Sequence, residues 1–164
     1  MFFSHLSISF SKYLALNAQI NAANVGYHSM RKYKNIDCVI INENEIRHEF
    51  RNKSDSIKTL MKKLSYQQKI GNLVVTRGIH GSILYNKKNN NFIFSDAFAK
   101  KTVDKIGAGD AMLSLIALSL KSKFDKHLSL LVGSLAAAQS VETVGNKESI
   151  NKIQILKTIE HLLK

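Results

Sequence analysis

The chain has 164 residues, 45% of them hydrophobic, enough for one domain with a sizeable core. Its 24 Lys and Arg against 12 Asp and Glu give a net charge of +12, but these sit singly or in pairs such as Arg31-Lys32 and Lys62-Lys63. That dispersal reads as a solvated basic surface with an anionic small substrate and argues against nucleic acid, while Cys38, the single cysteine, excludes an intramolecular disulfide and a cysteine zinc site.

The first ten residues carry no basic n-region and polar residues interrupt every apolar run, so neither a signal peptide nor a membrane span is expected; with the lone cysteine, a reducing cytoplasm fits. Tyr13–Asn17 reads as a short strand, and Asn21–Gly26 as a polar loop entering a helix. Cys38–Ile41 has the length and continuous apolar character of a buried strand and ends in Asn42-Glu43-Asn44-Glu45. Asn-x-x-Glu by itself is ordinary helix-cap chemistry. Polar groups at the C-terminal end of a parallel strand are also where open α/β sheets keep their ligands.

Ser56 to Leu64 places Ile57, Leu60, Met61 and Leu64 on one helical face with lysines opposite, which predicts a covering helix. Leu73–Thr76 is a second buried strand, ending in Thr76-Arg77-Gly78-Ile79-His80-Gly81, where the glycines give a ligand access to the backbone. Arg77 and His80 read either as flanking surface residues or as phosphate contacts. Ser82–Tyr85 and Phe92–Phe94, joined by a polar loop, predict a β-hairpin standing as a peripheral arm.

Lys101 to Asp110 then leads into the apolar run 111–120. A Gly107-Ala108-Gly109 turn opening a helix points unpaired backbone N–H groups outward, an arrangement suited to phosphate. Asp110, in the first helical turn, is either a helix cap or a base able to take a proton from an attacking hydroxyl. A second apolar helix runs from about His127 to Glu142, its small-residue centre Gly133–Ala138 permitting close packing against a neighbour or a flat ring. A last amphipathic helix, from Ile150 to Leu163, aligns Ile153, Leu156, Ile159 and Leu163. The order of elements implies a three-layer α/β domain with a mostly parallel sheet and no second-domain boundary.

Asp104-x-x-Gly107-Ala108-Gly109-Asp110 opening an apolar helix resembles the signature of the ribokinase-like (PfkB) carbohydrate kinases, and Asn42-x-x-Glu45 and Thr76-x-Gly78-x-x-Gly81 resemble two more of its motifs, in the right order. The resemblance implies a ribokinase-like α/β sandwich and an ATP-dependent sugar kinase, with Asp110 as catalytic base and Gly107, Ala108 and Gly109 as anion hole. Asn42, Thr76, Arg77, Gly78, Gly81 and Ser134 would bind nucleotide, with Asn42 and Glu45 supporting Mg2+. Asp104, Ile106, Ser140, Gly145 and Ser149 would surround a monovalent cation such as K+. Asn17-Ala-Gln19 followed by Asn21 to Gly26 is similar to the heptose-phosphate kinases of ADP-heptose synthesis, which implies a heptose phosphate or related sugar as acceptor.

Lys105 and Ile106 depart from the Thr or Ser and the smaller residue common in the family, although the heptose-kinase group tolerates both. The resemblance matches residues 1–164, a single partial domain, to the C-terminal, nucleotide-binding half of a full member. The expected partners are therefore ATP, a sugar or sugar phosphate, and a separate N-terminal half or a second copy. The alternative is a non-catalytic nucleotide-binding remnant or a subunit needing a partner chain.

Overall fold

The computed structural model describes residues 7–10, 12–18, 30–99, 101, 103–104, 106–142 and 149–162. Strands β1 (Ser7–Phe10), β2 (Tyr13–Asn17), β3 (Cys38–Asn42), β4 (Asn72–Thr76), β5 (Ser82–Asn86) and β6 (Asn91–Ser95) form one six-stranded sheet in chain order. The neighbours β2, β3 and β4 are parallel; β1 pairs antiparallel with β2, β5 with β4 and β6 with β5. The sheet is thus mixed, with a parallel centre, where a mostly parallel one was expected. The connection from β4 to β5 is too short to hold a crossover helix, so the returning strand has to run antiparallel.

That return also corrects the expected peripheral arm. β5 is buried at every position and continues the central sheet, and of the hairpin only β6 lies at an edge.

Side chains alternate across the strands with period two, so strands β2 to β6 each feed two cores. Leu16, Val39, Ile41, Leu73, Val75, Ile83 and Tyr85 face α1 (Glu43–Phe50) and α2 (Ile57–Gln68). Ala15, Cys38, Ile40, Val74, Leu84 and Ile93 face α3 (Ala108–Lys121), with Leu130 of α4 (Lys126–Glu142) in the same cluster. The helix–sheet–helix layering is the three-layer α/β sandwich read from the sequence. Burial, with Asp37 nearby, pushes the Cys38 thiol up to about 12, so the lone cysteine is protonated core packing.

On the α2 face Leu60, Met61 and Leu64 are buried in the expected register. In α4 the small residues serve close helix packing, because a Cβ on Gly133 would lie 2.3 Å from Ile116 Cγ1 of α3. The last helix, α5 (Lys152–Leu162), differs in phase from its expected stripe. Ile155 is buried and Ile159 packs beside it, whereas Ile153 and Leu156 are exposed, because contact with α4 is made by an i, i+4 pair. Among the described residues no helix is long and apolar enough to cross a membrane.

Candidate nucleotide-binding and catalytic site

The three parallel strands end together. Asn17 is in register with Ile40, and Asn42 with Thr76, so the C-terminal ends of β2, β3 and β4 lie along one edge of the sheet. Ser82 opens β5 opposite Thr76, and Ser95 closes β6 opposite Ser82, which brings residues 96–99 to the same edge. α3 begins above it. Between these ends lies a cleft of about 390 Å³ lined by Asn17, Asn42, Glu45, Thr76, Gly78, Gly81, Gly107 to Asp110 and Ser134, together with residues 96–99. The Asn-x-x-Glu, Thr-x-Gly-x-x-Gly and Gly-Ala-Gly-Asp motifs are therefore spatial neighbours.

At the start of α3, Gly107 is the N-cap with φ +83, a left-handed conformation that glycine adopts without a Cβ penalty. No side chain caps this helix. The amides of its first turn are consequently available to an anion in the cleft. Asp110 follows one turn in, and its Oδ1 accepts a 2.7 Å hydrogen bond from Asn17 Nδ2 at the end of β2. A Cβ on Gly109 would lie 3.0 Å from that Nδ2 and 3.3 Å from the Oδ1 of Asn17, so the Asn17 amide is seated against Gly109.

Asn42 and Glu45 make a capping box for α1. Asn42 Oδ1 accepts from the Asn44 amide at 2.9 Å, and Glu45 Oε2 accepts from the Asn42 amide at 2.8 Å. Both residues also line the cleft. Thr76 and Gly78 line it too, and a Cβ on Gly78 would meet nothing within 4 Å. Gly81 is fixed by the fold: with φ +71, its Cβ would come within 2.0 Å of the Ser95 carbonyl oxygen.

Arg77 stands away from the cleft lining. Its Nε donates to Glu43 Oε2 at 2.7 Å, and Arg47 holds the other oxygen at 2.8 Å. Partial burial works against ionisation of Glu43, but hydrogen bonds from Arg77 and Arg47 outweigh it and hold the carboxyl below the usual range. Arg77 thereby ties the Thr76–Gly81 turn to the start of α1. His80 is exposed and also outside the lining.

Ser134 is buried in the cleft wall, its hydroxyl 3.1 Å from that of Ser82. Of the residues assigned to a monovalent cation, Asp104 accepts from the Ile106 amide through Oδ1 at 2.9 Å, and the amides of Val103 and Asp104 both bond Val141 O, next to Ser140. Asp104, Ile106 and Ser140 therefore share one region; Gly145 lies outside the described residues, as do Gln19 and residues 21–26. Ser149 is exposed, and Asp104, Ile106, Ser140 and Ser149 are outside the cleft lining.

The cleft's charge is unlike the chain's. Its described lining holds the carboxylates of Glu45, Asp96 and Asp110 and no Lys or Arg, so the surplus of +12 lies elsewhere. Among the described residues no three His, Cys, Asp or Glu cluster as a metal site.

Two features were not singled out as site residues from sequence. Asn17 enters the sequence reading only through the Asn17-x-Gln19 strand end and its similarity to the heptose-phosphate kinases, with no site role, and residues 96–99 join the cleft because β6 ends there.

The described geometry is thus a strand-end cleft, a glycine turn without a side-chain cap opening a helix, and an aspartate in that helix's first turn. The chain belongs to the pfkB family of carbohydrate kinases, whose model matches residues 16–153. It is 32% identical over 108 residues to the Bifunctional protein HldE of Campylobacter fetus subsp. fetus (strain 82-40), covering 65% of this chain and 23% of that protein. Its fold is similar to ribokinase from Thermotoga maritima, with a TM-score of 0.72 at 22% identity, over 93% of this chain and 50% of that one. It is also similar to phosphofructokinase-2 from Escherichia coli in complex with potassium, with a TM-score of 0.68 at 19% identity, covering 80% and 42%. The chain thus spans half or less of the length of these relatives.

Proposed function

We propose that the chain is the nucleotide-binding and catalytic-base half of an ATP-dependent sugar kinase that phosphorylates a sugar hydroxyl, with a heptose phosphate as acceptor. The observation that carries this reading is the convergence of Asn42–Glu45, Thr76–Gly81 and Gly107–Asp110 on one cleft. The heptose acceptor is supported by the similarity to HldE and by the Asn17-x-Gln19 strand end.

In this reading the first-turn amides of α3 receive the phosphate being transferred, and Asp110 accepts the proton of the attacking hydroxyl. Thr76, Gly78 and Gly81 border the nucleotide, Ser134 borders its base, and Asn42 and Glu45 face the phosphates. Mg2+ bound with ATP supplies neutralisation of phosphate charge that this acidic cleft does not provide. A K+ ion at Asp104, Ile106, Ser140, Gly145 and Ser149 would sit behind the glycine turn and add positive field to its amides. Phosphoryl transfer depends mainly on positioning and electrostatics, so the acceptor side of the site governs the rate as much as this side does.

The fraction of each relative that the chain covers favours a second reading, a nucleotide-binding subunit completed by another polypeptide. The test is phosphoryl transfer from Mg-ATP to a panel of sugars and sugar phosphates, by the chain alone and mixed with the sugar-binding half of a heptose-phosphate kinase. Transfer to heptose phosphate in either sample supports the first reading. Mg-ATP binding without transfer in both supports the second.

A further inference from the structure

Asp110 has a polar partner that the motif does not contain. It lies 93 positions away in the chain, on the opposite side of the cleft floor. Because a carboxylate only accepts, the Asn17 amide must present its NH2 group to Asp110, and the whole amide rests against Gly109. We infer that Asn17 is a positioning residue for the base: its amide fixes one oxygen of Asp110 so that the other is aimed into the cleft before an acceptor arrives. The inference rests on the kinase reading above.

Three observations carry it. First, α3 has no side-chain cap, so a first-turn aspartate would otherwise be drawn toward the amides of its own helix start. The bond to Asn17 holds the carboxylate away from them. Second, Asn17 is itself rigid: it is 8% exposed, ends a strand in register with Ile40, and precedes Ala18, whose amide bonds Ile40 O at 2.9 Å. Third, the amide is seated closely on Gly109: a Cβ there would lie 3.0 Å from Nδ2, and the amide would have to give by a few tenths of an ångström. A neutral donor suits the task, since an Arg or Lys in its place would form an ion pair and weaken the carboxylate as a base.

The experiment uses the whole chain and two readouts. In NMR spectra of nucleotide-free protein, the Asn17 side-chain NH2 signals should move on Asp110→Ala substitution; signals unchanged by that substitution would show that the bond does not form. In phosphoryl transfer, Asn17→Ala should lower kcat by about 10- to 100-fold with KM for Mg-ATP unchanged, the size expected when a reacting group is misplaced by about 1 Å. In an Asp110→Asn background the same change should cost nothing further, because Asn17 acts through Asp110. Asn17→Ser, a smaller perturbation, guards against loss of folding and should give the same pattern. Equal losses in both backgrounds, or a rise in KM alone, overturn the inference. Asp110-dependent NH2 signals with no transfer either by the chain alone or by the chain mixed with the sugar-binding half would instead overturn the kinase reading and leave Asn17 a structural contact.

Discussion

Replacing Asp110 by Asn keeps an oxygen that can accept from Asn17, so the local structure should survive while the proton acceptor is lost. The expected result is a fall in kcat of about 10^2- to 10^4-fold with Mg-ATP affinity retained, measured by transfer assay and calorimetry on the same sample. A second expectation at this scale concerns Glu43, whose folded-state pKa lies below its ordinary 4.5 because of Arg77 and Arg47. A depressed carboxylate stabilises the fold above its unfolded pKa, and that contribution disappears as pH falls through the folded value. The melting-temperature gap between wild type and Glu43→Gln should therefore be open at pH 7 and close on acidification below about pH 4.5; a gap constant with pH would remove the ion-pair explanation. Of these residues, Asp110 is legible in the sequence because its neighbours in the chain are its neighbours in space. Asn17 and Glu43 are not, since Asn17 meets Asp110 at the start of α3 and Glu43 meets Arg77 beyond the end of β4, each distant in the chain.

Strands β3 and β4 and helix α2 follow directly from apolar runs and one helical stripe, because burial of those residues is what the pattern records. Pairing direction is a different kind of fact. Nothing in Ser82–Asn86 states that it will lie antiparallel to β4, and its place in the sheet emerges only when the short turn at Gly78–Gly81 denies a crossover. The phase of α5 was misread for a related reason: Ile153, Ile155, Leu156 and Ile159 offer two overlapping stripes, and α4 selects one of them. Packing between α3 and α4 gives the test at this scale. Gly133→Ala puts a methyl group within 2.3 Å of Ile116 Cγ1, an overpacked contact that should cost about 1–3 kcal/mol in urea unfolding. Loss of the cap at Asn42 by substitution with Ala should cost a comparable ~1 kcal/mol. That variant should also bind Mg-ATP more weakly, because its side chain both starts α1 and lines the cleft. A variant that loses stability and keeps full affinity would assign Asn42 to the helix alone.

Across the whole molecule, the parallel centre of the sheet does the assembling. It delivers Asn17, Asn42 and Thr76 to one edge, and α3 then sets its uncapped start above them, so the cleft needs no contribution from an acceptor-binding region to exist. The described lining of the cleft is acidic in a basic chain, and the expectation at this scale is that the magnesium complex of ATP enters it in preference to free ATP. Free ATP meets three carboxylates; with Mg2+ its phosphates bring their own counter-charge and meet the backbone amides. The chain as it stands should bind Mg-ATP and, by mass action, melt at a higher temperature in its presence, with the shift growing as the nucleotide is raised through its Kd. Chelating the metal should remove the shift even at the same ATP concentration. Gly109→Val should remove it as well, since a branched side chain there would fill the phosphate side of the turn and push against the Asn17 amide. Differential scanning calorimetry of the folded wild-type chain decides the matter. A shift of equal size with and without Mg2+ would mean that binding is to the basic exterior and that the cleft is not the nucleotide site.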